Sequence, residues 1–236
     1  MPDFAVIKKK ISPYNKKIFV DGDKSISIRW ALLASQAIGK STASNLPNSE
    51  DINSTIDCLK RLGIKIIKKN NNCEIFGNGL NGFNYQKNIT INAGNSGTCG
   101  RLILGLLIAS KKKIKLKGDK SLSSRDFSRV TSPLERFGAK FFPLKRKNLP
   151  ISILGSNFTR PINYLENIGS AQCKSSIMLA ALNTPGKTLI KAKKSRNHTE
   201  LLFKSLKIPI KIKKEKKYDF IEVEGKKNFK SFDYKI

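Results

Sequence analysis

The order helix, glycine, strand, polar turn, strand, glycine is written three times along these 236 residues, and a repeat on that scale dictates the architecture. In the first copy Ile52, Ile56, Leu59 and Leu62 form a helical stripe over residues 51–62, and Gly63 offers a left-handed cap. Two apolar runs, 64–67 and 73–76, flank Asn70-Asn71-Asn72 and close on Gly77, the pattern of a hairpin. The second copy runs through 132–137, Gly138, 139–144, 150–154 and Gly155. The third uses 199–206, 208–212, 220–223 and Gly225, with Lys207 where the cap glycine stood. A further helix precedes each copy, over 25–38, 97–109 and 170–182, and a short strand or Gly-rich turn precedes each of those. The predicted unit is therefore strand–helix–strand–helix–hairpin. A unit of this kind cannot bury its apolar face alone, so three should share one α/β core.

A shorter repetition lies inside the longer one. Gly22-Asp23-Lys24-Ser25-Ile26-Ser27-Ile28-Arg29 returns as Gly118-Asp119-Lys120-Ser121-Leu122-Ser123-Ser124-Arg125, with six of eight letters kept. Each copy follows a β-like run, 17–20 and 114–116, and leads into a helix. Glycine there lets the backbone approach a ligand, and the helix start offers unpaired amides to an anion. The helices that open the three units begin Lys24-Ser25, Asn95-Ser96-Gly97-Thr98 and Gly169-Ser170-Ala171-Gln172. Their N-termini either converge on one anion-rich site or are simply capped by Ser, Thr and Asn.

The formal charge of +29 suits nucleic acid or other anionic partners. The lysines are spread over strand edges and turns, however, and no helix-turn-helix, zinc-finger or RNP-type aromatic pattern accompanies them. A solvated lysine surface is the preferred reading, and a basic nucleic-acid-binding module the alternative of another class. Cys58, Cys73, Cys99 and Cys173 are scattered and His198 is the one histidine, so no metal site is expected and the thiols read as reduced. No signal peptide or membrane span is legible, and a cytoplasmic location without membrane partners is expected. Gly39-Lys40-Ser41 and Gly186-Lys187-Thr188 resemble P-loop tails. The first glycine would fall at Ala34 and Ala181, inside helices, so both read as turns between helix and strand. His198 reads as a packing residue.

Taken together, these motifs resemble the 5-enolpyruvylshikimate-3-phosphate synthase family. Gly22–Arg29, Asn95-Ser96-Gly97-Thr98 with Arg101-Leu102, and Gly118 to Arg125 followed by Pro133-Leu134 and Phe137-Gly138-Ala139 look like its signatures. Ser170-Ala171-Gln172 with Lys174-Ser175, Leu182-Asn183-Thr184-Pro185-Gly186 and Ser195-Arg196-Asn197-His198-Thr199-Glu200 complete the set. The resemblance implies an enolpyruvyl transferase-like lobe of three such repeats about a pseudo-threefold axis. Residues 1–20 would belong to a second lobe, 21–228 would form the shikimate-phosphate-binding lobe, and 229–236 would cross back. The second lobe would be absent from this chain, which would be a truncated half, inactive alone and a monomer when complete.

The implied reaction moves the enolpyruvyl group of phosphoenolpyruvate to the 5-hydroxyl of shikimate 3-phosphate and releases phosphate, without a cofactor. By position, Lys24 is the catalytic residue and contacts both substrates. Lys24, Ser25, Arg29, Ser170, Ala171, Gln172 and Arg196 would hold shikimate 3-phosphate. Lys24, Gly97, Arg125 and Gln172 would hold phosphoenolpyruvate, with Asn95 and Thr98 shaping the loop. The principal acid/base carboxylates would lie in the other lobe. Asp126 stands where the family usually has proline, which should loosen that loop or bring an acid near the anion site. UDP-N-acetylglucosamine enolpyruvyl transferase, which shares the repeat fold, is the enzymatic alternative.

Overall fold

The computed structural model describes residues 6, 8–10, 12–13, 15–18 and 20–236. The first unit comprises α1 (Lys24–Ala34), β1 (Ile38–Ser44), α2 (Glu50–Arg61), β2 (Lys65–Lys69) and β3 (Asn72–Asn78). The second comprises β4 (Ile89–Asn92), α3 (Gly97–Leu106), β5 (Ile114–Lys117), the short α4 (Lys120–Ser123), α5 (Ser128–Arg136), β6 (Lys140–Phe142) and β7 (Ile151–Leu154). The third comprises β8 (Asn163–Glu166), α6 (Ala171–Leu182), β9 (Lys187–Lys193), α7 (His198–Ser205), β10 (Ile210–Lys214) and β11 (Tyr218–Glu224), and β12 (Asp233–Lys235) follows.

Three four-stranded sheets result, ordered β12-β1-β3-β2, β4-β5-β7-β6 and β8-β9-β11-β10. In each, the first pair is parallel and the remaining pairs are antiparallel. The threefold repeat is therefore real, with one exchange. The run 17–20, expected as the leading strand of the first unit, forms no strand at its described residues, and Ile18 and Val20 are exposed. β12 takes that place, pairing Thr42, Ala43 and Ser44 with Asp233, Tyr234 and Lys235. Burial decides the exchange, because Phe232, Tyr234 and Ile236 pack on the core. Within residues 229–236, expected to cross toward a second lobe, Asp233–Lys235 adds the outer strand of the first sheet. Of residues 1–20, expected to belong to a second lobe, 1–5, 7, 11, 14 and 19 lie outside the described residues, and the described ones form no helix or strand.

Helices α1, α3 and α6 are buried along nearly their whole surface, whereas α2, α5 and α7 each bury one stripe. The glycine that ends each hairpin has a steric reason. A Cβ on Gly77 would lie 2.2 Å from the carbonyl oxygen of Ala34, one on Gly155 2.2 Å from the amide of Ser110, and one on Gly225 1.9 Å from the carbonyl oxygen of Thr184. Each hairpin therefore presses its backbone against the far end of an inner helix. The C-terminal caps agree as well: Gly63 and Gly138 have φ of +85° and +111°, and Lys207 adopts +55° at the equivalent place.

Two smaller readings need correction. Gly39-Lys40-Ser41 lies within β1, and Lys187-Thr188 opens β9, so neither is a turn throughout. The two Gly-Asp-Lys-Ser copies occupy different places in the repeat: the first opens the inner helix α1, the second follows β5 and opens α4. What they share is capping. Asp23 accepts from Ile26 N at 2.7 Å and Asp119 from Leu122 N at 2.6 Å.

Candidate anion-binding site

The three inner helices begin alike. Asp23, Ser96 and Ser170 cap them, the two serines accepting from Cys99 N and Cys173 N at 3.2 Å. The backbone carbonyls of these caps accept from Ser27, Gly100 and Lys174. Each helix is left with two amides that no described residue pairs: those of Lys24 and Ser25, Gly97 and Thr98, Ala171 and Gln172. Capping and anion binding, posed as alternatives by the sequence, are both accommodated. The cap serves the third amide and leaves the first two without a partner among the described residues.

Side chains tie these ends together through α6. Gln172 Oε1 accepts from Arg101 Nη1 and its Nε2 donates to Thr98 Oγ1, both at 3.0 Å, which joins α6 to α3. Arg101 also lies over the Phe127 ring at 4.9 Å. One turn along α6, Ser175 Oγ accepts from Arg29 Nη2 at 3.1 Å, which joins α6 to α1. Arg29 further donates from Nε to Thr199 Oγ1 at 2.8 Å and from Nη1 to the Ser25 carbonyl at 2.9 Å. It is only 4% exposed, and burial lowers its pKa to about 10 despite the opposing charges of Glu200 and Asp23. Three of its donors are thus engaged, and the guanidinium fixes Ser25 from behind.

The remaining cations are more open. Lys24 is half exposed, with Nζ 3.1 Å from Asp51 Oδ2 on α2. Such a surface pair holds on the order of 1 kcal/mol or less, little enough to yield to a phosphate. Arg125 is exposed and donates to Asn95 Oδ1 at 3.0 Å and Ser121 Oγ at 3.3 Å. Gly97 makes room for it: a Cβ there would lie 2.8 Å from Arg101 Nη1 and 3.1 Å from Arg125 Nη1. Arg196 is exposed and makes no hydrogen bond or ion pair with the described residues, although its charge reaches Arg29 and His198. Beside it, Ser195 Oγ and His198 Nδ1 are buried without a hydrogen-bond partner. Burial, and then the charge of Arg29, lowers the His198 pKa below 6.5.

Two clusters therefore stand on one backbone frame: Asn95, Gly97, Thr98, Arg125 and Gln172 around α3, and Lys24, Ser25, Arg29 and Arg196 around α1 and α7. Ser170 caps α6 and Ala171 opens it. Asp126 tightens its loop instead of loosening it. Its Oδ1 accepts from Ser128 N at 2.6 Å, and that bonding lowers its pKa.

The pairings that support these residues were not legible in the sequence. Lys174 and Glu200 form a buried ion pair at 2.6 Å, and Asp51 holds Lys24. Both acids stand in the first turn of a helix, where they read equally well as complements to the helix dipole. The scattered cysteines Cys58 and Cys99 are both buried; the neighbouring Cys99 and then burial raise the Cys58 pKa, and Cys58 Sγ donates to the Asn92 carbonyl at 3.3 Å.

Three four-stranded sheets around inner helices whose starts carry paired unused amides define an enolpyruvyl transferase-like lobe. The comparisons agree. The sequence profile of EPSP synthase (3-phosphoshikimate 1-carboxyvinyltransferase) matches residues 8–236, and the chain belongs to that family. A 3-phosphoshikimate 1-carboxyvinyltransferase of Caldicellulosiruptor saccharolyticus is 40% identical over 194 residues, covering 80% of this chain and 44% of that relative. One from Ruegeria is 34% identical over 224 residues, covering 94% and 50%. The structure of EPSP synthase from Acinetobacter baumannii superposes with a TM-score of 0.85 at 30% identity, covering 94% of this chain and 49% of that one. The chain spans about half the length of the relatives it matches.

Proposed function

We propose that this chain supplies the shikimate 3-phosphate-binding half of an enolpyruvyl transfer. The observation that carries the reading is the three pairs of unused amides at the starts of α1, α3 and α6, flanked by Lys24, Arg125 and Arg196. The buried, unpartnered Ser195 Oγ and His198 Nδ1 beside Arg196 add support, since a bound phosphate would complete that turn. The curated relatives bear the 3-phosphoshikimate name, which favours this acceptor over a UDP-sugar.

In the reaction the 5-hydroxyl oxygen of shikimate 3-phosphate bonds to C2 of phosphoenolpyruvate while C3 takes up a proton. The hydroxyl proton departs, and the tetrahedral adduct then expels phosphate and loses a proton from C3 to restore the double bond. Arg196 and the α6 amides hold the 3-phosphate, and Ser25, ordered by Arg29, meets the ring. Gly97, Arg125 and Gln172 receive phosphoenolpyruvate. Lys24 sits where the two anions meet and offsets the charge that develops between them.

Three carboxylates beside these residues are engaged within the fold, Asp23 with Ile26 N, Asp126 with Ser128 N and Glu200 with Lys174, and Asp51 pairs with Lys24 until an anion takes that lysine. Binding without turnover is accordingly the activity proposed for this chain alone. Calorimetry with shikimate 3-phosphate and with shikimate tests it. The phosphate ester should bind at least about tenfold more tightly, and Arg196→Ala should remove most of that difference. Equal binding of the two, or none at millimolar concentration, would refute the reading.

A further inference from the structure

At the opposite ends of α3 and α6 lies a cavity of about 550 Å³, within the usual size for a small-molecule site. Leu106 forms part of its floor. Phe83 and Tyr85, half-buried in the segment between β3 and β4, form an aromatic wall, and Phe158 stands at its edge 89% exposed. Three lysines line it, Lys111, Lys112 and Lys226, and no acidic side chain does.

The lysines are not alike. Lys112 is engaged, its Nζ donating to the Tyr85 carbonyl at 2.8 Å while Tyr85 Oη donates to the Lys112 carbonyl at 3.3 Å. That reciprocal pair fixes the ring. The ammonium groups of Lys111 and Lys226 make no hydrogen bond or ion pair with the described residues, although the Lys226 amide donates to the Leu182 carbonyl at 2.9 Å. Lys226 sits at φ +58°, a conformation costing an L-residue on the order of 1 kcal/mol. Partial shielding from water lowers its pKa although the residue is exposed overall, and no carboxylate offsets that loss. A helix C-terminus attracts lysines without any ligand, but that attraction explains neither the aromatic wall nor a bare phenyl ring at the mouth.

We infer that this cavity is a second binding site, for a small molecule that carries both an aromatic ring and an anionic group. The ring would lie against Phe83, Tyr85 and Phe158, and the anion would face Lys111 and Lys226. The site is separate from the face where α3 and α6 begin and makes no use of its residues.

Three probes test the two requirements apart: 2-naphthoate, its uncharged analogue 2-naphthylmethanol, and acetate. Each is titrated into the chain while ¹H–¹⁵N shifts are followed. Saturable shifts at Lys111, Phe158 and Lys226 are expected with 2-naphthoate, and binding at least about tenfold weaker with the other two. Lys226→Gln and Phe158→Ala, both at exposed positions, should each weaken 2-naphthoate at least about fivefold while the rest of the spectrum stays unchanged. Comparable binding of the alcohol would reduce the cavity to an apolar patch, and comparable binding of acetate would reduce it to a charge cluster. Either result overturns the inference, as do shifts on another face or no saturation.

Discussion

At the scale of single residues, the motif letters were legible but their division of labour was not. Arg29 and Arg196 look equivalent in the sequence, yet one is buried behind Ser25 and the other stands open. Only tertiary packing separates a guanidinium that orders the site from one free to grip a ligand. His198 gives the cleanest residue-level test because it is the only histidine. Its pKa in the fold is below the unfolded value of 6.5, so unfolding takes up a proton once the pH falls through 6.5. Stability should therefore decline from about pH 6.5 downward, until the lower folded pKa is passed, and His198→Gln should flatten that limb. Urea unfolding between pH 5 and 7.5 reads the difference, with carboxylate effects shared by both proteins. Lys174 is the second residue-level test. Lys174→Met leaves Glu200 buried and unpaired, which should cost about 3–5 kcal/mol. Lys174→Met with Glu200→Leu should recover most of that loss in the same unfolding experiment.

At the scale of elements, the sequence showed the repeat because its punctuation is steric. Gly77, Gly155 and Gly225 recur where a side chain would strike the backbone of an inner helix, so the letter is forced. The first unit's leading strand could not be found this way. β12 lies far along the chain from β1, and its partnership depends on burying Tyr234, a contact that local pattern does not encode. The doubled Gly-Asp-Lys-Ser misled in the opposite direction, since identical capping chemistry serves two inequivalent helices. The glycine positions predict opposite outcomes for opposite changes. Lys207→Gly relieves a left-handed lysine and should stabilise by up to about 1 kcal/mol, raising the melting temperature by a few degrees. Gly225→Ala forces a methyl to within 1.9 Å of the Thr184 carbonyl oxygen and should destabilise by at least about 2 kcal/mol. Thermal melts of both variants check the pair.

At the scale of the whole molecule, threefold construction brings three equivalent helix starts into one frame, and that gives the charge of the chain a direction. Most lysines line strand edges and loops, such as Lys211, Lys213 and Lys214 on β10. The candidate site would draw on few cations: Lys24, Arg125 and Arg196, with Arg29 behind them. Fold and candidate site were legible together because the same short segments set both, capping each inner helix and presenting its unused amides. What the supports do was not: Ser175, Thr199 and Glu200 stand in the quoted motifs, but their bonds to Arg29 and Lys174 join separate helices, and Asp51 reads locally as an ordinary helix residue. Among the described residues no helix is long and apolar enough to cross a membrane. The central claim is that an anionic substrate docks where α1, α3 and α6 begin. A ¹H–¹⁵N shift map of the chain titrated with shikimate 3-phosphate tests it most directly. Shifts should concentrate at Lys24, Ser25, Ala171, Gln172 and Arg196 and leave Phe158 and Lys226 still. Shifts centred away from those helix starts, or none at millimolar ligand, would contradict it.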